Sequence, residues 1–215
     1  MMRAPLITDM GWGISIFPLL IAVLSWNSLT AGPRSAYIHV PFCRRRCYYC
    51  NFPVQIIGDR KVTIERESAA YTEVLLKDIE NAVRYSLVDG STVAHQLDTI
   101  YFGGGTPSLL TNECISRILT EIRCRFSISS TAEITLEMDP GTFDEARVLE
   151  LKDIGINRVS MGVQSFDDTI LKACGRAHSS EEVIAAISAL VSAGRVQETI
   201  DNANFIQLLL YVFVI

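Results

Sequence analysis

Cys43, Cys47 and Cys50 stand within eight positions in the stretch PFCRRRCYYCNF (41–52), and no fourth cysteine follows nearby. Thiolates bind soft metals and iron–sulfur clusters, and a loop this tight can wrap one cubane. Three thiolates hold three irons of a [4Fe-4S] cluster and leave the fourth open to a small molecule. A rival set adds His39 to make a Cys3His zinc site, although zinc sites more often pair two short knuckles. Unliganded or disulfide-forming cysteines are the third reading. Arg44, Arg45 and Arg46 either set positive charge beside an anionic group or form a solvated basic loop.

Other stretches carry weaker signals. YFGGGTPSLL (101–110) is a glycine-rich turn whose backbone can come close to a small polar ligand. It has neither Walker A nor G-x-G-x-x-G spacing, so nucleotide phosphate is not implied. Glu137 in EMDPG either accepts from an amine or ribose hydroxyl or is a surface carboxylate at a turn. Gln164, Arg176 and His39 are each equally readable as ordinary polar groups at strand ends.

These residues need elements to position them. SAYIHV (35–40), LDTIYF (97–102), AEITLE (132–137) and RVSMGVQ (158–164) read as strands. Between them, 63–85 and 111–126 carry apolar residues at helical spacing, which leaves Cys114 and Cys124 as ordinary, partly buried residues. TFDE (142–145) and SSEE (179–182) have capping-box spacing ahead of two further helices, and Gly194 is a candidate C-cap. The alternation predicts an α/β fold of about four parallel βα units, as a barrel or an open sheet. His39, Gly103 to Thr106, Glu137 and Gln164 then share the rim at the C-terminal ends of the strands, where such folds place their sites.

Composition excludes some classes. A net charge of −5 gives no reason to expect a nucleic-acid partner. Six cysteines in 215 residues are too sparse for a secreted disulfide scaffold, and free clustered thiols suit an intracellular setting. Residues 11–30 are apolar and uncharged around Pro18, and read as a removed leader, a weak membrane anchor or a stray segment. FIQLLLYVFVI (205–215) is too short to span a bilayer and reads as a buried strand or a tail. The expected organisation is an apolar leader over 1–34, a core over 35–194 and a divergent tail over 195–215.

Taken together, YIHVPFCRRRCYYCNF, YFGGGTPSLL, EITLEMDPGTF and INRVSMGVQSFDDTILKACGRAH resemble the radical S-adenosylmethionine (SAM) proteins of the oxygen-independent coproporphyrinogen III oxidase branch. Within that branch they are most similar to the HemW-type heme chaperones. The resemblance covers about residues 35–194 and implies a partial (β/α)6 barrel with a [4Fe-4S] cluster at its rim. It implies that Cys43, Cys47 and Cys50 ligate the cluster and that SAM chelates the unique iron. Tyr37, Gly104, Gly105, Thr106, Glu137, Gln164 and Arg176 match positions that contact SAM, and Tyr49 takes the aromatic position before the last ligand. Reductive cleavage of SAM to a 5′-deoxyadenosyl radical is the implied chemistry. Heme or porphyrin, a heme-accepting apoprotein and a reductant are the implied partners.

The oxidase branch carries a further cysteine shortly after the triplet, whereas Asn51 and Phe52 follow Cys50 here. That favours the chaperone; the porphyrinogen oxidase and a zinc-stabilised interaction module are the alternatives. The family continues past residue 194 into another strand with further SAM contacts, and RVQETIDNANFIQ does not show that strand's motif. The chain therefore reads as C-terminally truncated, with weakened SAM retention expected. Cytoplasm, mitochondrion and plastid stay equally open.

Overall fold

The computed structural model describes residues 34–86, 96–195 and 207–211. Strand β1 (Ser35–Val40) alternates strictly, burying Ala36, Ile38 and Val40 and turning Tyr37 and His39 to the opposite face. The cysteine segment follows, between two short strands, β2 (Phe42–Cys43) and β3 (Gln55–Ile56). Helix α1 (Lys61–Ser86) leads to β4 (Gln96–Gly104), a single 3-10 turn at Pro107–Leu109, and α2 (Asn112–Arg125). Then come β5 (Ser127–Met138), α3 (Glu145–Ile154), β6 (Arg158–Gly162), α4 (Asp168–Ala173), α5 (Ser180–Arg195) and β7 (Gln207–Tyr211).

The main sheet has five strands in the order β1-β4-β5-β6-β7, every pair parallel. Each new strand is added at the same side, the winding of a (β/α) barrel opened along one seam. One sheet face is apolar. Ile38, Ile100, Phe102, Leu136, Val159 and Met161 meet Leu75 and Ile79 of α1 and Ile115, Ile118, Leu119 and Ile122 of α2 in one core. The other face is polar, because register aligns Tyr37 with Tyr101, Tyr101 with Thr135, and Thr135 with Arg158. A strand sequence that alternates in this way must present its polar side chains to whatever the sheet curls around.

The four strands and the long helices fall where periodicity puts them, with β5 starting at Ser127 rather than 132. Cys114 is buried in α2, whereas Cys124 is exposed rather than partly buried. SSEE closes a reciprocal capping box: the Glu182 amide donates to Ser179 Oγ at 3.2 Å and the Ser179 amide to Glu182 Oε2 at 2.8 Å. TFDE does not. Asp144 caps α3, accepting from the Arg147 amide at 2.9 Å, while the Thr142 hydroxyl donates to Asp139 O at 2.6 Å. An aspartate one position before the helix outcompetes a threonine further back.

Gly194 lies inside α5; the left-handed glycines that follow helices among the described residues are Gly155 at φ 114 after α3 and Gly175 at φ 72 after α4. Gln207–Tyr211, within the segment read as a divergent tail, pairs with β6 as a fifth strand. Residues 11–30, read as a leader or anchor, lie outside the described residues, among which no helix is long and apolar enough to cross a membrane.

Replacing Leu136 by Ala removes a fully buried side chain from the sheet–helix core; about 2–5 kcal/mol of stability should go with it. Ser179→Ala, which removes one half of the α5 cap, should cost about 1 kcal/mol. Urea unfolding midpoints measure both. A Leu136→Ala loss smaller than that of Ser179→Ala would contradict the core described above.

Candidate iron–sulfur and S-adenosylmethionine site

The cysteine segment is anchored at both ends by backbone hydrogen bonds. Gln55 N donates to Pro41 O at 2.7 Å and Ile57 N to Cys43 O at 3.0 Å, which closes β3 onto β2. The turn after β4 holds the same segment from the sheet side: Gly105 N donates to Val40 O at 2.7 Å and Thr106 N to Phe42 O at 2.6 Å. This approach needs glycine. A Cβ on Gly105 would lie 2.6 Å from Phe42 O, and one on Gly104, whose φ is +115, would lie 2.5 Å from the His39 ring. The GGGT turn is thus a close-packed junction between β1, the cysteine loop and β4.

Beyond that junction opens a cavity of about 420 Å³, the size of pockets that take drug-sized ligands. Cys43, Cys47 and Cys50 are half-buried along its wall, and all are free thiols. Of the other sequence candidates, Tyr49, Gly104, Gly105, Thr106, Glu137, Gln164 and Arg176 all line it. Tyr37 does not: its ring stacks on Tyr101 with centroids 6.0 Å apart, and its hydroxyl meets His39 Nδ1 at 3.4 Å. Its alternation along β1 faces it to the polar side of the sheet, one layer below the rim.

Each lining residue has an identifiable local role. Glu137, at the end of β5, accepts from Tyr101 Oη at 2.7 Å and from Gly104 N at 3.2 Å. Burial raises its pKa above the ordinary carboxylate value, against the pull of those hydrogen bonds and of His39. Thr106 Oγ1 donates to Cys43 Sγ at 3.5 Å. Gln164 adopts φ 65, a left-handed conformation that a glutamine holds only when its surroundings enforce it. Arg176 Nη1 donates to Cys47 Sγ at 3.4 Å and to Tyr49 Oη at 3.1 Å. Burial, joined by Cys47, pushes the Tyr49 phenol up to about 12 despite the adjacent Arg176.

The donor set fits a cluster held by three cysteines. Burial raises the Cys43 thiol pKa, the Thr106 hydrogen bond opposes this, and charge on Cys50, Cys47 and Asp139 raises it further. Three thiolates in one half-buried loop repel one another, and a cationic iron–sulfur core relieves that repulsion. Among the described residues no three His, Cys, Asp or Glu side chains are arranged for a single metal ion. His39 points its Nε2 at Pro53 O, 3.4 Å away, rather than joining the cysteines.

Sequence reasoning passed over the anchoring groups. Arg44, read with Arg45 and Arg46 either as positive charge beside an anionic group or as a solvated basic loop, turns inward and donates to Asp139 Oδ2 at 3.1 Å and to Pro140 O at 2.8 Å. Asp139 also pairs with Arg176, and His178 Nδ1 lies 3.3 Å from its Oδ1. Tyr48 N donates to Cys174 O at 3.0 Å, and the Tyr48 ring lies over Gly175, whose Cβ would meet it at 3.2 Å. The glycine and acid in DPG and CGR were the available signals, but their partners lie about 90 to 130 positions away in sequence, as the 44–139 and 47–176 contacts show.

Burial pushes the Asp139 carboxyl up, but its hydrogen bond with His178 and the charges of Arg176 and Arg44 outweigh burial and hold it below the usual aspartate value. A depressed folded-state pKa contributes stability that is present above the unfolded value, about 3.9, and is lost as pH falls through the lower folded value. The stability advantage of the wild type over Asp139→Asn should therefore be constant from pH 7 to about pH 5 and shrink below about pH 4. Denaturant midpoints across that range measure it, and an advantage that grows on acidification would refute the assignment. Gly104→Ala should displace the His39 ring and the cysteine loop together, which amide chemical shifts of residues 39–50 would register.

Known proteins share this architecture. The sequence profile of the radical SAM superfamily matches residues 37–206. The heme chaperone HemW of Synechocystis sp. is 38% identical over 170 residues, covering 79% of this chain and 38% of the relative. The heme chaperone HemW of Escherichia coli is 37% identical over 150 residues, covering 70% and 37%. Among solved structures, coproporphyrinogen III oxidase (HemN) from Escherichia coli, described as a radical SAM enzyme, superposes with a TM-score of 0.64 at 27% identity, over 79% of this chain and 36% of that one. The chain spans under two-fifths of the length of these relatives. With a profile match over most of its length, a sequential parallel βα sheet and a three-cysteine loop at the C-terminal rim, the chain belongs to the radical SAM superfamily.

Proposed function

We propose that this chain holds a [4Fe-4S] cluster and SAM and serves heme handling in the manner of the HemW-type chaperones. The observation that carries the cofactor reading is the convergence of Cys43, Cys47 and Cys50 on one cavity with the glycine turn and Arg176. Cys43, Cys47 and Cys50 would hold three irons and leave the fourth without a protein ligand. Gly104, Gly105 and Thr106 would present backbone to SAM, with Glu137, Gln164 and Arg176 as its polar contacts and Tyr37 supporting Tyr101 beneath them. When bound, cluster and SAM supply one-electron reductive chemistry, with the electron delivered by an external reductant. The protein's own contribution is orientation: Arg176 meets Cys47 and Tyr49, Glu137 fixes the Gly104 amide, and the packed junction keeps the loop in register.

Two features support the chaperone over the oxidase. The similar curated relatives described above are both named heme chaperones. In addition, Cys50 is followed by Asn51 and by Phe52, which is exposed and lines the cavity, with no further cysteine before Cys114. On this reading heme or a related porphyrin is the cargo and an apoprotein its recipient. The porphyrinogen oxidase is the second reading, because the solved relative carries that name. The unit that does this work is residues 35–194, to whose sheet Gln207–Tyr211 adds a strand, and clustered thiols favour a reducing compartment inside the cell.

Anaerobic reconstitution should give a brown, oxygen-bleached chain with about four irons and four sulfides, whose spectrum changes on adding SAM. Cys43→Ala, Cys47→Ala or Cys50→Ala should each abolish uptake. Stoichiometric zinc with no sulfide would sink both radical readings. Heme titration that saturates at one equivalent, without turnover of coproporphyrinogen III, selects the chaperone; turnover selects the oxidase.

A further inference from the structure

Asp139 sits one residue past the end of β5, and its two carboxylate oxygens serve different arginines. Oδ2 accepts from Arg44 Nη2 at 3.1 Å, reaching in from the cysteine loop, and Oδ1 pairs with Arg176 Nη2. All three side chains are nearly enclosed, at 15%, 10% and 11% exposure, and the fully buried His178 closes the far side of Oδ1 at 3.3 Å. The Arg176 guanidinium is thereby divided. Nη2 is committed to Asp139 and to Gly162 O, at 2.9 Å from the latter, while Nη1 is directed at Cys47 Sγ and Tyr49 Oη. A planar fork held on one nitrogen has its other nitrogen aimed for it.

We infer that Asp139 is a positioning residue: it aims Arg176 into the cavity, with Arg44 as the counter-cation that holds the carboxylate in place. The inference rests on the cluster-and-SAM reading and extends it to a carboxylate in the cavity wall whose oxygens are taken by two arginines. Asparagine fits the same space but fails chemically. Its one oxygen can stand at only one of the two places the carboxylate oxygens occupy, and its NH2 group then presents donors to the other arginine. Lysine at 176 keeps the charge but has one nitrogen, which cannot serve Asp139 and the cavity together.

The test uses the reconstituted chain and its Asp139→Asn, Arg176→Lys and doubly substituted forms. SAM is titrated anaerobically against the electron paramagnetic resonance signal of the reduced cluster. Asp139→Asn should take up wild-type iron and sulfide and show an unchanged signal without SAM, yet need about tenfold or more SAM for the half-maximal change. Arg176→Lys should do the same, and the double variant should be hardly weaker than either, since both changes disable one device. A residue that merely braces the fold would lower stability without this non-additivity. Half-saturation within about twofold of wild type in either single variant overturns the inference, as do effects that multiply in the double variant. So does loss of iron from Asp139→Asn while Arg176→Lys keeps it, because the carboxylate would then hold the loop alone. If Asp139→Asn fails to fold, Arg44→Gln, which removes the second anchor of the carboxylate, takes its place: weaker SAM binding with iron and sulfide retained supports the inference, and half-saturation within about twofold of wild type overturns it. A wild-type chain that takes up no iron or sulfide removes the underlying reading, whereas normal SAM binding in the variants removes only the inference.

Discussion

The whole site depends on how closely the ends of β1 and β4 approach each other. Gly104 and Gly105 let the chain after β4 hydrogen-bond directly to Val40 and Phe42, the residues on either side of the point where the cysteine loop leaves the sheet. Any side chain at Gly105 would strike the Phe42 carbonyl. Because that junction is backbone on backbone, the loop's first ligand is fixed to the sheet rather than to a mobile connection, and Cys43 lies within reach of the Thr106 hydroxyl. Sites built on rigid elements hold their geometry better than sites built on loops alone.

From this junction the remaining contacts radiate in two layers. The polar face of the sheet supplies Tyr37, Tyr101 and Glu137, whose stacked rings and short hydrogen bonds make a floor beneath the cavity. Above it, charge links three separate segments: Arg44 from the cysteine loop, Asp139 after β5 and Arg176 after α4. Arg44 also lies 3.7 Å from Asp59, so two guanidiniums and two carboxylates form one linked network across the top of the cavity. The apolar face of the same strands carries the helices and most of the core, so stability and site occupy opposite sides of one sheet.

Much of the fold was legible because periodicity is local. Strict alternation in SAYIHV and the helical spacing of Ile115, Ile118, Leu119 and Ile122 each follow from geometry within a few residues. The same holds for the SSEE capping box. Where two local signals competed, as for Thr142 and Asp144 before α3, spacing could not rank them, and the stronger cap acceptor prevailed. The short α4 escaped because six residues show too little pattern to separate element from loop, and for the same reason 205–215 could be read as either a strand or a tail until pairing with β6 decided for the strand.

By itself the sequence determined the chemistry available: three thiols without a fourth, a run of glycines, and polar residues at the ends of predicted strands. It also determined, through strand alternation, that those residues would meet at one rim, since each strand end faces the same way in a parallel sheet. Only the tertiary structure decided which charges pair. Arg44 lay in a triplet whose spacing names no partner for any one arginine, and Asp139 in an ordinary turn, yet the two are joined across 95 positions. It also decided that Tyr37 supports the site from below instead of lining it. The physical reason is that periodicity is dictated within one segment, whereas the partner of a buried charge is set by whichever segments the sheet order brings together.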